Sequence, residues 1–246
     1  MKLSSSAPNT TIRSRMLGKP LMHRFPSPLP SDTVLDCILD QNWKENGILH
    51  VLDVVKWKGQ DIADCESSFR SVSLFIRGKE YASDRAEHSF WWRDTRLSEL
   101  PPSRPPTTSA PDVALEAPTQ EGSAPIGYRF PYPTTFMQIP YYTNTTFAHF
   151  LDTIIPRARS SCRAQVSIPA EPNDSDKMVI ESSQFVGPAP RITQAEIKPD
   201  GLLLYVAQAI YEPGTSPLSS WVPLAGPATD EMASVDPSSP LDVFER

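Results

Sequence analysis

Proline is the residue that most limits what this chain can fold into. The 246 residues include 27 prolines and only 10 glycines, and this proline content is about twice the usual frequency. Because proline lacks a backbone N–H and restricts φ, clusters of it interrupt helices and strands and indicate linkers or loops. One cluster begins the low-complexity segment 101–127, which we expect to be a disordered insertion.

The length and the 39% hydrophobic content allow one folded domain with its own core. We assign this domain to residues 32–224, preceded by a partly ordered basic segment at 1–31 and followed by a disordered acidic tail at 225–246. The basic segment contains five Lys or Arg residues and no acid, although the net charge of the chain is −6. This distribution predicts local contact with an anionic ligand rather than non-specific binding of nucleic acid.

Composition argues against several classes of protein. The three cysteines form no Cys-x-x-Cys pair and no metal-binding pattern with the four histidines, so we expect neither a disulfide framework nor a metal site. The N-terminus has no apolar signal region, and no stretch approaches the roughly 18 apolar residues of a membrane span. A nuclear or cytoplasmic protein without a metal or cofactor fits these observations.

The pattern of apolar and turn-forming residues predicts an α+β fold with a mostly antiparallel sheet. Two β-branched runs, 33–39 and 48–55, predict an antiparallel hairpin, and Gly59 provides the turn that follows it. The continuous leucines of 201–205 predict a central strand buried on both faces. Further elements are expected at 71–76 (a strand or the start of a helix), 85–100 (an amphipathic helix), 134–139 (a strand), from Thr143 or Asn144 to Pro156 (a helix) and 177–180 (a strand).

Candidate catalytic residues are few. His50 lies within an alternating apolar run, where a hydrogen-bonded strand histidine is expected rather than a base. Asp53 and Asp64 could pair around a metal, but single aspartates at strand ends and in turns usually bond to the local backbone. The sequence contains no Gly-x-Ser-x-Gly motif and no glycine loop that could hold a phosphate. We therefore expect no catalytic residue.

Trp221 follows a loop bounded by proline and glycine, and the sequence after it is acidic, small and rich in proline. One interpretation folds its indole back onto the sheet as a local anchor. The other places the indole on an exposed loop, where its face can stack on a flat ligand such as a nucleobase. This residue alone does not separate the two interpretations.

Seven motifs follow one another along the chain. They are Arg24-Phe-Pro-Ser-Pro-Leu-Pro30, Leu35-Asp-Cys-Ile38, Val51-Leu-Asp-Val-Val-Lys-Trp-Lys-Gly59, Asp64-Cys65 with Phe69-Arg70, Phe90-Trp-Trp-Arg93, Asp200-Gly-Leu-Leu-Leu-Tyr205 and Tyr211-x-Pro-Gly-x-Ser-Pro-Leu-x-x-Trp221. In this order they resemble the cap-binding domain of the snurportin family, adaptors that recognise the trimethylguanosine cap of spliceosomal small nuclear RNAs. The resemblance covers roughly residues 10–224, with insertions.

The resemblance implies the nucleotide-binding fold of mRNA guanylyltransferases and nucleic-acid ligases, without their catalytic machinery. The strand that starts at Asp200-Gly201 resembles the Asp/Glu-Gly strand motif of those enzymes. Their nucleophile lies in a Lys-x-Asp-Gly signature that this chain lacks, and Lys56, Lys58 and Lys198 do not supply it. Without an activated amine no covalent nucleotide intermediate can form, so the chain is not expected to be an enzyme. An active nucleotidyltransferase is one alternative.

The resemblance also implies a binding site. The tryptophan of the family that stacks on the methylated base matches Trp221 here. Methylation at N7 makes the guanine ring cationic, which strengthens its stacking on an indole. A basic residue before the Arg-Phe-Pro-Ser motif contacts the cap phosphates in the family. Arg15 is the best match in this sequence, with Arg13 and Lys19 as rivals because the spacing requires a shift.

Partners and location are implied in the same way. The expected ligand is a trimethylguanosine-capped small nuclear RNA within its ribonucleoprotein particle, and the expected location is the nucleus and cytoplasm, with shuttling between them. Importin-β and an exportin are transport partners of the family. Its importin-β-binding arm and further strands with cap contacts precede the basic segment, and this chain is expected to lack both. A scaffold that keeps the fold without binding the cap is the second alternative. No membrane partner is expected.

Overall fold

A computed structural model describes residues 1–6, 9–15, 17–65, 91–102, 106, 128–170, 190–206, 209–212, 214, 216–224 and 240–243. In these residues the fold is α+β, with a mostly antiparallel sheet of seven strands and two separate two-stranded sheets. The strands are β1 (Lys2–Ser6), β2 (Asn9–Arg13), β3 (Pro20–Phe25), β4 (Thr33–Leu39), β5 (Ile48–Trp57), β6 (Gln60–Asp61), β7 (Thr135–Gln138), β8 (Cys162–Ile168), β9 (Arg191–Ile197), β10 (Gly201–Tyr205) and β11 (Ser219–Pro223). The helices are α1 (Trp43–Asn46), α2 (Trp91–Ser98), α3 (Phe147–His149), a π-helical stretch (Phe150–Ile154), α4 (Ile155–Arg159) and a 3₁₀ turn (Pro240–Val243).

Three strands of the main sheet come from the basic segment 1–31, for which only partial order was expected. The strands lie in the order β3-β2-β1-β4-β5-β6, and β7 pairs with the first half of β5. The β5–β7 pair is parallel, and the other pairs of this sheet are antiparallel. Because β1 lies between β2 and β4, the basic segment reaches the middle of the sheet.

The predicted hairpin at 33–39 and 48–55 is confirmed as β4 and β5. The loop between these strands contains the short helix α1, which ends at Gly47 with a φ of 66°. Gly59 has a φ of 84° and lies in the turn from β5 to β6, as expected. A residue with a side chain rarely adopts such positive φ angles, so these two glycines set the ends of β5.

The two faces of the main sheet differ because successive side chains of a strand point to opposite sides. On one face, Leu3 lies between Ile12 and Leu35 of the neighbouring strands, and all three are buried. On the other face, Lys2 lies directly across from Asp36. The apolar face belongs to the main core, whose other buried members are Phe25, Leu29, Cys37, Leu49, Val51, Val54, Trp57 and Leu97.

Arg93 attaches α2 to the main sheet. The helix predicted at 85–100 is observed from Trp91 to Ser98, and residues 85–90 lie outside the described residues. The buried guanidinium of Arg93 donates hydrogen bonds to the carbonyls of Leu52 (3.2 Å) and Ile139 (2.8 Å). It also lies over the ring of Tyr141, 4.8 Å from the centroid. The last residue of the Phe-Trp-Trp-Arg motif therefore joins α2, β5 and the end of β7.

The helix predicted to end at Pro156 continues to Arg159. It begins after Thr146 rather than at Thr143 or Asn144, and the side chain of Asn144 accepts a hydrogen bond from the Thr146 N–H (3.1 Å). A π-helical stretch precedes α4, so Pro156 lies in the first turn of α4. The helix is continuous through this point, and the π-helical stretch changes the hydrogen-bond pattern where the proline lacks its N–H.

The prediction that 201–205 is a central strand buried on both faces is wrong. β10 pairs only with β11 among the described residues, and Leu204 is 45% exposed. A run of leucines allows burial on both faces, but here the two-stranded sheet is only partly covered by the rest of the fold. β8 and β9, which also form a two-stranded sheet, were not predicted.

The tail expected to be disordered contains an ordered part at 240–243. Leu241 is buried there, and the carboxylate of Asp242 lies 2.6 Å from Arg159 Nη2. The strand predicted at 134–139 is confirmed as β7. The predictions for 71–76 and 177–180, and most of the segment 101–127, lie outside the described residues. None of the helices in the described ranges is long and apolar enough to cross a membrane.

Candidate functional site

Trp221 lies on β11, directly across from Leu203, and not on a loop as predicted. Its side chain is 44% exposed, so the indole is not part of the core. One edge of the ring packs on Gly201, where an added β-carbon would lie 2.4 Å from Cζ2 of the indole. Glycine at the start of β10 therefore leaves room for the ring. The structure combines both interpretations of this residue, a local contact and an exposed face.

Arg15 lies in the turn between β2 and β3 and points toward the chain after β10. Its Nη2 donates a hydrogen bond to the carbonyl of Glu212 (3.4 Å), and its guanidinium lies 5.9 Å from the centroid of the Tyr211 ring. Its Nη1 is 3.6 Å from a carboxylate oxygen of Asp36. These contacts hold Arg15 between the polar face of the main sheet and the loop that joins β10 to β11.

An open, shallow cleft of about 10 Å³ surrounds the Arg15 side chain. We call it the Arg15 cleft; its lining residues are Arg15, Tyr205, Ala209, Ile210, Tyr211, Glu212, Ser216, Leu218 and Ser219. This volume is far below the roughly 300 Å³ at which small-molecule sites begin, and it has room for about one water molecule. The cleft is therefore a depression in the surface that does not enclose a ligand.

The Arg15 cleft and Trp221 are on the same face of the β10–β11 hairpin. Tyr205 and Ser219 line the cleft and lie directly across from each other, as do Leu203 and Trp221. These two pairs are two residues apart on each strand, so their side chains share a face and are separated by roughly 7 Å along it. Trp221 does not line the cleft; the structure places it on the hairpin face that also carries Tyr205 and Ser219, which do line it.

The same hairpin face is directed toward the main sheet. The rings of Tyr205 and Tyr141 lie with their centroids 6.4 Å apart, and the hydroxyl of Tyr141 donates a hydrogen bond to the carbonyl of Leu52 on β5 (2.8 Å). Trp221 therefore keeps an exposed indole on the side of the hairpin that faces the sheet.

Asp36 is a buried carboxylate beneath Arg15, with 1% of its side chain exposed. Within the described residues neither of its oxygens accepts a hydrogen bond, and its near cations are Arg15 and the Met1 amino group, each at 3.6 Å. Burial and the charge of Asp36 raise the pKa of Tyr211 above its ordinary range. The phenol therefore stays neutral at physiological pH. The Arg15 guanidinium, the Asp36 carboxylate and the Tyr211 phenol thus lie close together at the floor of the cleft.

Two residues near the cleft had no predicted role. The ammonium group of Lys2 lies 5.2 Å from the centroid of the Tyr211 ring, a contact that favours a cation at this position. Asp36 belongs to the Leu-Asp-Cys-Ile motif, but its burial depends on β1 lying beside β4. The rivals Arg13 and Lys19 are exposed and do not line the cleft. Of the three basic residues considered, Arg15 is the one that lines it.

The remaining polar candidates have structural contacts. Nε2 of His50 lies 2.9 Å from a carboxylate oxygen of Asp40, in agreement with a hydrogen-bonded strand histidine. Asp53 lies opposite Asp36 and accepts a hydrogen bond from the Val54 N–H (2.8 Å). Within the described ranges, no group of three or more His, Cys, Asp or Glu side chains could hold a metal ion.

Neither a comparison with protein-family models nor a search of curated proteins finds a match for this chain. Function is therefore inferred from the residues and their geometry. Trp221 has an exposed indole on the hairpin face whose Tyr205 and Ser219 line the Arg15 cleft.

Proposed function

We propose that this chain binds the 5′ trimethylguanosine cap of small nuclear RNAs without catalysis, as the cap-binding module of a snurportin-like nuclear import adaptor. The observation that carries the proposal is the placement of Trp221 and the Arg15 cleft on one face of the β10–β11 hairpin. We also propose that the fold is a version of the nucleotide-binding domain of guanylyltransferases and ligases. The α+β fold and the mostly antiparallel sheet are consistent with that extension.

The exposed indole of Trp221 suits the base of this ligand. A trimethylated guanine is flat and cationic, and stacking on an electron-rich ring stabilises such a group. The two methyl groups on its exocyclic amine add apolar surface and remove hydrogen-bond donors. An aromatic face therefore favours this base over unmethylated guanine. Stacking of a base on an aromatic residue contributes about 1–3 kcal/mol.

Arg15 suits the phosphates of the cap. The cleft is too small to enclose a phosphate, so a phosphate would lie at its mouth. Nη1 of Arg15 lies near Asp36 and Nη2 donates to the Glu212 carbonyl, so a phosphate oxygen would share or replace the long 3.4 Å contact with Glu212. The strand pair that carries Trp221 and the pair that lines the cleft are roughly 7 Å apart along the hairpin, so a nucleotide stacked on Trp221 would extend toward Arg15.

A fluorescence titration tests this proposal. We expect a trimethylguanosine cap dinucleotide to quench tryptophan emission of the wild type, with much weaker binding of unmethylated GTP. Trp221→Phe, which keeps an aromatic face, should retain part of the affinity, and Trp221→Ala should lose most of it. Absence of binding in the wild type with a folded protein would favour a scaffold without ligand. An acid-stable adduct with labelled GTP would favour a nucleotidyltransferase.

A further inference from the structure

The hairpin formed by β2 and β3 carries a concentration of positive charge in a chain of net charge −6. Arg13, Lys19, His23 and Arg24 are all exposed on it. The described residues place no carboxylate within salt-bridge distance of these four side chains. An isolated exposed lysine is ordinary, but a hairpin with cations and no neighbouring acid attracts anions. We call these four residues the β2–β3 surface.

The β2–β3 surface is continuous with the Arg15 cleft. The turn at 14–19 is held by a hydrogen bond from the Ser14 N–H to the Lys19 carbonyl (2.7 Å) and by one from Arg13 Nη1 to the Gly18 carbonyl (3.2 Å). Arg15 points from this turn into the cleft, whereas Arg13 and Lys19 stay outside in solvent. The cations Arg13 and Lys19 therefore lie at the turn beside the cleft, and Arg24 lies near the far end of β3, beyond the exposed Leu21.

We infer that the β2–β3 surface binds the phosphodiester backbone of the single-stranded RNA that follows the cap, with Arg13 and Lys19 as its nearest contacts. This inference rests on the proposed function, because the cap phosphates at Arg15 place the next nucleotides beside the turn. A line of cations that follows a nucleic-acid backbone is how proteins bind single strands without reading sequence. The surface adds affinity for RNA and no preference for bases.

Three ligands test the inference: the trimethylguanosine cap dinucleotide, a ten-nucleotide RNA with that cap, and the same RNA without a cap. We expect the capped RNA to bind more tightly than the dinucleotide, with a steeper loss of affinity as salt increases. Each phosphate contact on a single strand contributes about 0.7 to the slope of log affinity against log salt concentration. Arg13→Ala with Lys19→Ala should lower that slope by about 1.4 and the affinity for capped RNA on the order of fivefold.

Lys19→Ala alone should lower the slope by about 0.7 and bind the cap dinucleotide as the wild type does, because it keeps the hydrogen bond from Arg13 that holds the turn at 14–19. Lys58→Ala is the matched control, because Lys58 is an exposed cation in the β5–β6 turn, at the other end of the sheet. It should change neither ligand's affinity. Thermal melting of each variant confirms that these exposed substitutions leave the fold intact.

The outcomes separate this inference from the proposed function. If the dinucleotide binds and the capped RNA shows the same affinity and salt slope, the RNA surface is wrong and the cap site stands. If the dinucleotide does not bind but uncapped RNA binds through Arg13 and Lys19, the cap site is wrong and the RNA surface stands. Binding of phosphatidylserine vesicles through Arg13 and Lys19, with no binding of RNA, would overturn the inference in favour of a membrane.

Discussion

The indole of Trp221 occupies the space where a side chain of residue 201 would be. A β-carbon on Gly201 would lie 2.4 Å from Cζ2 of the ring and 2.6 Å from the carbonyl oxygen of Val222. Neither atom can accept such a neighbour without moving. The glycine at the start of β10 therefore determines where the exposed indole lies, and this dependence can be tested directly.

Gly201→Ala should displace the Trp221 ring and loosen the β10–β11 hairpin. We expect a loss of cap dinucleotide affinity close to that of Trp221→Ala, because the ring leaves the face that it shares with the Arg15 cleft. Affinity is measured by isothermal calorimetry. Leu204→Ala is the control, since Leu204 is exposed on the opposite face of the same strand. Equal affinities for Gly201→Ala and the wild type would show that the ring position does not matter.

Arg15→Ala should reduce both affinity and stability. It removes the proposed phosphate contact, and it takes one of two near cations from the buried carboxylate of Asp36. We expect a loss of unfolding free energy on the order of 1–2 kcal/mol, as for a buried group left without compensation. Adding Asp36→Asn should restore much of the stability but not the affinity. Urea unfolding and calorimetry on both variants check this, and recovery of affinity in the double variant would contradict the role of Arg15.

Arg93→Met should destabilise the fold without a direct effect on the ligand. The substitution leaves the carbonyls of Leu52 and Ile139 without these charged donors and removes the contact with the Tyr141 ring. We expect about 3 kcal/mol of lost stability in urea unfolding. Arg96→Ala on the same helix is the control. The ion pair of Arg96 with Glu99 is exposed, so Arg96→Ala should lower the unfolding free energy by less than about 0.5 kcal/mol. Similar losses of unfolding free energy for the two variants would show that Arg93 does not attach α2 to the main sheet.

The pair of His50 and Asp40 should make stability depend on acid pH. Burial alone would raise the pKa of Asp40, but hydrogen bonds from His50, Asn46 and the Asn42 N–H outweigh it and lower this pKa below its ordinary value of 3.8. Since the pKa in the folded state is lower than in the unfolded state, the stabilisation is complete well above 3.8. It is lost as the pH falls through the lowered value.

Asp40→Asn checks this dependence. The variant should be less stable than the wild type at pH 6, and the difference should shrink at pH 3, because the unfolded wild type takes up a proton below 3.8 and the folded state does so only at its lower pKa. Urea unfolding at the two pH values gives the comparison. A difference that is the same at both values would show that the charge of Asp40 is not involved.

Local patterns in the sequence predicted those elements whose signals are local. The hairpin of β4 and β5, the strand β7 and part of α2 each have periodic apolar residues between turn formers. β10 was also predicted as a strand, but its burial was not, because a leucine run has the same appearance in a covered and in a half-covered strand. Pro156 failed as a helix end because the π-helical stretch before it cannot be read from apolar spacing.

The candidate site was predicted in its residues and not in its geometry. Sequence alone left Arg13, Arg15 and Lys19 as rivals, since which of them points inward depends on the hydrogen bonds that close the turn at 14–19. The buried charge of Asp36 had no sequence signal. It arises from the insertion of β1 between β2 and β4, a long-range pairing that no short motif encodes.

The most direct test of the account measures two quantities on Trp221→Ala, cap dinucleotide affinity and unfolding free energy. We expect the variant to lose roughly 1–3 kcal/mol of binding free energy, the range for base stacking on an aromatic side chain. Because 44% of the side chain is exposed, its truncation should lower stability by about 2 kcal/mol, less than for a fully buried tryptophan. A loss of several kcal/mol of stability, with unchanged affinity for the cap, would contradict the account and make Trp221 a structural anchor.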